Sequence, residues 1–226
     1  MTERTATPTE ATPLLRCGIL VGPLFIGVWL IQALTRAGFD LTRHPLSLLS
    51  LGGLGGIQIA NFVVSGLLLV AFAAGIRRVL YPGRGGSWGP ALIALTGLGL
   101  IVAGVFTTDP GAGFPAGAPD GAPEHLSWHG ILHEVGFVLT SVGWIAACFV
   151  FARRFGAADQ NRWVLACVAT PILVVAVSAW PHLDSLSVRL VLGSIIQFTF
   201  MAMLAARLIA ESTAPADAAR GQGLRT

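Results

Sequence analysis

The sequence predicts an all-α integral membrane bundle of six transmembrane helices. Three observations carry the prediction. Of the 226 residues, 54% are hydrophobic and only 11% charged, with a mean hydropathy of +0.75. A soluble domain carries about 25% charged residues to cover its surface, so lipid must be the solvent for most of this one. The apolar residues fall into six stretches, each near the about 20 helical residues that cross ~30 Å of hydrocarbon. The arginines collect in alternate connections, as the topology of a multi-pass chain requires.

The first stretch covers roughly residues 14–35. The segment before it, MTERTATPTEATP (1–13), is polar and rich in Thr and Pro, and is expected to be disordered. Acidic residues there, and no small-residue cleavage site after the apolar run, argue against a cleaved signal peptide. The second stretch spans about 55–76, and the third 88–107. The fourth runs from 129 to 152, the fifth from 163 to 180, and the sixth from 188 to 210, completing a 14–210 transmembrane domain. Trp88, Trp163 and Trp180 stand at span ends, where interfacial indoles belong. Pro171 interrupts the fifth span and predicts a kink. Residues 211–226 read as a second disordered tail.

Every basic side chain other than histidine is an arginine. With a cytoplasmic N-terminus, eleven arginines fall inside, and only Arg36, Arg43 and Arg189 fall outside. The expected topology therefore has both termini in the cytoplasm of a plasma-membrane protein. The sequence pI of 9.2 then reflects topology, and nucleic acid is not an expected partner. Cys17, Cys148 and Cys167 map to cytoplasmic helix halves, where no disulfide is expected.

All five histidines, His44, His125, His129, His133 and His182, map to the opposite, outer end. His129 and His133 form H-x-x-x-H, which puts both imidazoles on one helix face, one turn apart. That spacing suits a divalent metal such as zinc, which wants a third ligand. Asp109, at the exit of the third span, is the natural candidate, with His44, His182 or Asp184 behind it. Asp109 also admits a plainer reading, as a cap ahead of Pro110. Gln58, Asn61 and Ser65 share one stripe of the second helix, with Gln32 at similar depth. They read either as the wall of a wet outward pocket or as interhelical glue. Arg43 is placed to hold a phosphate or oxyanion, and Ser47 is a weak candidate nucleophile. Gly97, Gly99 and Gly104 predict close helix contacts. The loop 108–128 is too rich in Gly, Pro and Ala for a regular element.

Taken together, RAGFDLTRHPLSLLSLGG (36–53), IQIANF (57–62), VFTTDP (105–110) and HGILH (129–133) resemble the domain-of-unknown-function 998 family of prokaryotic six-span proteins. The resemblance covers about residues 14–210. It implies a fold and a location, and it picks out Arg43, His44, Pro45, Ser47, Gln58, Asn61, Asp109, Pro110, His129 and His133. More remotely the chain is similar to DRAM- and Sfk-type proteins, some tied to lipid handling. Two functions follow as expectations. In the first, an outward His/Asp pocket binds or hydrolyses a membrane lipid or small amphiphile. Asp109, His129 and His133 are then the catalytic and metal-holding residues, and Arg43, His44, Ser47, Gln58, Asn61 and His182 contact the ligand. The second is a non-enzymatic scaffold or lipid-binding subunit, oligomeric or held by a partner, whose polar cluster is structural. A proton-coupled permease would want ionisable groups near the midplane, and none is placed there.

Overall fold

The computed structural model describes residues 8–179 and 183–213. Its six helices are α1 (Pro8–Thr35), α2 (Gly55–Leu80), α3 (Trp88–Val105), α4 (Trp128–Gly156), α5 (Asn161–Ser178) and α6 (Leu186–Thr213). Each is long and apolar enough to cross a membrane, which makes this a multi-pass membrane protein. Helices are the answer because the bilayer offers no water, so backbone N–H and C=O groups must bond within their own segment.

The helices overrun the apolar stretches. α1 begins at Pro8, so residues 8–13 are helical and not disordered, and α6 carries on to Thr213. Hydropathy marks where lipid begins, whereas helix ends are set by caps and neighbours. α5 continues through Pro171 as one element.

The helices pack as a ring in chain order, with α6 closing onto α1. Inside lies one apolar core, including Phe25, Phe62, Leu69, Phe72, Trp144, Phe151, Phe198 and Leu204. One end of the ring holds the start of α1 and the end of α6. There Arg154 pairs with Glu211 at 3.2 Å, and Arg207 pairs with the same carboxylate at 3.0 Å. Arg154 also donates to the Arg84 carbonyl, tying the α2–α3 connection to α4 and α6. The other end holds the long connections 36–54 and 106–127. His44, His125, His129 and His133 all map to it. The histidine asymmetry is therefore real with respect to the bundle. His182 lies outside the described residues.

α2, α3 and α4 approach one another through glycine. A Cβ on Gly66 would meet the Gly97 carbonyl at 2.5 Å, and one on Gly97 would meet the Gly66 carbonyl at 2.6 Å. Across the next seam, a Cβ on Gly99 would meet the Thr140 backbone at 2.5 Å. Small residues let backbones close to van der Waals distance where lipid supplies no hydrophobic drive between helices.

Candidate functional site

The site begins where α3 stops and α4 starts. Beyond Val105 the chain turns toward Pro110 and leaves carbonyls of the last α3 turn without helical partners. His133 takes two of them. Its Nδ1 lies 2.8 Å from the Ala103 carbonyl and 3.0 Å from that of Phe106. A carbonyl only accepts, so Nδ1 carries the proton. His129 does the same one turn earlier, its Nδ1 lying 3.1 Å from the Thr107 carbonyl.

Asp109 bonds across the gap to Ser127. One carboxylate oxygen accepts the Ser127 N–H at 2.8 Å, and the other accepts its hydroxyl at 2.6 Å. Ser127 Oγ in turn accepts the Gly130 N–H at 3.1 Å, which makes Ser127 the N-cap of α4. A side chain on residue 130 would run into the Asp109 carboxylate, so glycine is required there. His129 Nδ1 also stands 3.0 Å from Ser127 Oγ. Asp109, Ser127 and His129 are thus one hydrogen-bonded cluster, and His133 sits a turn deeper.

The donors named for a metal centre are not seen gathered. Among the described residues no three His, Cys, Asp or Glu side chains are grouped to hold a metal ion. The histidine pair faces α3 because its N–H groups answer the orphan carbonyls, and Asp109 is occupied by Ser127. Ser127 was missed in the sequence reading. Its signal was the hydroxyl residue directly before the first apolar turn of α4.

The connection 36–54 folds into the bundle end. Residues Leu46–Ser50 form a 3-10 turn with Leu48, Leu49 and Ser50 buried. His44 pins it to the second loop. Its Nδ1 accepts the Asp40 N–H at 2.9 Å, so Nε2 carries the proton and donates to the Ala112 carbonyl at 3.0 Å. Phe39 and Phe114 flank its ring at 5.3 and 5.4 Å. With both nitrogens committed to backbone groups, His44 acts as a strut between the two loops. Asp40 orders the same turn by accepting the Thr42 hydroxyl and N–H. Those bonds hold its carboxyl below the ordinary range. Arg43 donates to the Asp120 carbonyl at 2.5 Å.

Gln58 and Asn61 are also reassigned. Gln32 donates to Gln58 at 2.8 Å, and Asn61 donates to the Phe25 carbonyl at 3.0 Å. Both residues are buried against α1 and line neither cavity described next. They are the glue of the second reading.

Two cavities lie side by side below the loops and share part of their walls. The vestibule, about 490 Å³, is walled by Arg43, Asp109, Asp120, Glu134 and Asp184, together with apolar and backbone groups. The chamber, about 220 Å³, lies among Phe25, Phe62, Trp144, Val174 and Phe198 of α1, α2, α4, α5 and α6. Ser47, His133, Phe137 and Leu190 line both. His133, Phe137, Thr140 and Trp144 follow at helical spacing, so one stripe of α4 runs from the vestibule into the chamber. His133 is 5% exposed, and among the described residues neither its Nε2 nor the buried Trp144 indole N–H has a hydrogen-bond partner. Trp144, Phe137 and Glu134 were not singled out as ligand contacts from sequence. An apolar stripe reads as core until a cavity is seen beside it.

No curated protein and no solved structure matches the chain. A family model described as a protein of unknown function, DUF998, matches residues 19–214, which include all of the site. The chain belongs to the DUF998 family.

Proposed function

We propose that this protein binds one membrane amphiphile, with its head in the vestibule and its chain in the chamber. The observation that carries the reading is the shared wall at His133, where a cavity edged by charged residues adjoins one walled by aromatic and aliphatic side chains. Charged residues at the edge of one apolar space and aromatic walls in the space beside it match an amphiphile. A pocket for a wholly polar solute would not end among Phe25, Phe62 and Phe198. His133, with a free Nε2, and Ser47 stand at the level of the head–chain boundary. The arginine bias supports an outward-facing vestibule, which an outer-leaflet lipid would reach. Hydrolysis is not part of the proposal, because the donors expected to hold a metal do not converge.

The test uses Gly193, which lines the chamber and has only ordinary contacts near an added Cβ, with Ser178 and Val174 at 3.5 Å. Gly193→Phe is expected to fill the chamber, since its Cβ would meet only side chains, and at ordinary distance. Native mass spectrometry of wild-type protein from a mild nonionic detergent should show one retained amphiphile. The variant should lose it and stay monodisperse. Gly27→Leu, at a position with nothing within 4 Å, should behave as wild type. Wild-type protein that carries no amphiphile, or a filled chamber that retains the same amount, refutes the reading.

A further inference from the structure

We propose that the vestibule selects a cationic head, so that the amphiphile this protein takes is an alkylammonium and not an anionic lipid. The inference rests on the amphiphile reading and adds the sign of the ligand.

Four acidic residues, Asp109, Asp120, Glu134 and Asp184, line the vestibule against one arginine, Arg43. Arg43 is itself engaged, its Nη2 donating to the Asp120 carbonyl. Asp109 accepts from neutral donors, the N–H and hydroxyl of Ser127. The ion pairs among the described residues, Arg154–Glu211 and Arg207–Glu211, both lie at the opposite end of the bundle. The vestibule therefore has a formal excess of acidic over basic residues, with Asp109 buried and Asp120, Glu134 and Asp184 exposed at its rim, and a cleft lined by one sign of charge attracts the opposite one.

The spread of the carboxylates decides between kinds of cation. No three of them are grouped to share a metal ion, and a small divalent ion needs convergent oxygens at 2.0–2.6 Å, on the order of bond lengths. An organic ammonium needs only a negative surround and a place for its chain. The chamber directly below supplies that place, and the unpartnered Nε2 of the buried His133 stands at the junction as an acceptor. An ammonium N–H donates to such a nitrogen, whereas a fully ionised phosphate has no proton to give.

The experiment compares chains of equal length with different heads. Full-length protein is purified in dodecyl maltoside, and the bound detergent is displaced with dodecylammonium or with dodecyl phosphate. Retained species are read by native mass spectrometry. Dodecylammonium should displace at about tenfold lower concentration, equivalent to ~1.4 kcal/mol. The preference should shrink as salt is raised. In the double variant Glu134→Gln and Asp184→Asn it should fall toward unity, while Glu134→Asp should keep it. Equal or better displacement by the phosphate, or a preference untouched in the double variant, overturns the proposal. Stoichiometric uptake of calcium that blocks dodecylammonium also overturns it, in favour of a metal site. Failure of every chain to bind, in wild type and Gly193→Phe alike, instead defeats the underlying amphiphile reading.

Discussion

The two halves of the bundle are built on opposite terms. In α2, α3 and α4, glycines at 66, 97, 99 and 136 bring backbones so close that any Cβ would strike a carbonyl or amide within 2.5–2.7 Å. In α5 and α6 the chamber lies open, and α5 buries only Cys167 and Pro171. A glycine on this side, Gly193, has room for a side chain. The difference separates holding a shape from holding space. Close glycine seams fix α3 and α4, so the histidines and Asp109 at their junction are set rigidly. The looser wall of α5 and α6 leaves volume beside that fixed edge.

The largest effect should come from breaking a seam. Gly99→Leu drives a side chain into the Thr140 backbone, and overpacking of this kind costs about 1–3 kcal/mol or more when backbone must move. We expect loss of most monodisperse protein by fluorescence-detected size exclusion. Ser194→Leu, which adds similar bulk on the chamber side, should keep the monodisperse peak and lose bound amphiphile. Equal damage from both variants would erase the contrast between the halves.

A smaller effect tests what Asp109 does at the seam's end. Asp109→Asn keeps one acceptor and loses the other, together with the charge that strengthens both Ser127 bonds. The expected cost is about 1–3 kcal/mol, seen as a melting temperature lower by several degrees, at roughly 2–4 °C per kcal/mol for this chain length. Ser127→Ala should resemble it, since it removes the hydroxyl bond and the Gly130 cap together. The double variant should cost little more than either single one, as for members of one network. Additive losses would mean that the two residues act separately.

These residues also mark where sequence reasoning stops. Six spans, their order and the clustering of histidines at one end were legible, because hydropathy and helical period are properties of each segment alone. Gly97 and Gly99 were readable as contacts for the same reason. The roles of His44, Gln58 and Asn61 were not, because each is decided by a partner distant in sequence: Ala112 for His44, and Gln32 and Phe25 for the α2 pair. His129 and His133 carry spacing that fits a chelate. Their N–H groups instead meet the carbonyls left where α3 ends, and the position of that end is a three-dimensional fact. The chamber is the extreme case, since an empty volume has no residue of its own.

The smallest effect concerns the loop that caps the space. Asp40 is exposed and accepts the Thr42 hydroxyl and N–H, with the Arg43 N–H at 3.3 Å. The Thr42 hydroxyl and N–H contribute most to holding its carboxyl below the ordinary 3.8. A carboxyl depressed in the folded state stabilises fully above its unfolded pKa. That contribution fades as pH falls through the folded value, because protonation then removes the preferred acceptor. Solvent screens so exposed a group, and the effect on melting should be about 1 °C or less. The readout is the difference in melting temperature between wild type and Asp40→Asn, which isolates this carboxyl from the others. The gap should be constant from pH 7 to about 5 and should close below about pH 4. A gap that persists at pH 3 would show that Asp40 acts through shape alone. A gap of many degrees at neutral pH would show that the loop, and not the glycine seams, bears most of the stability at this end of the bundle.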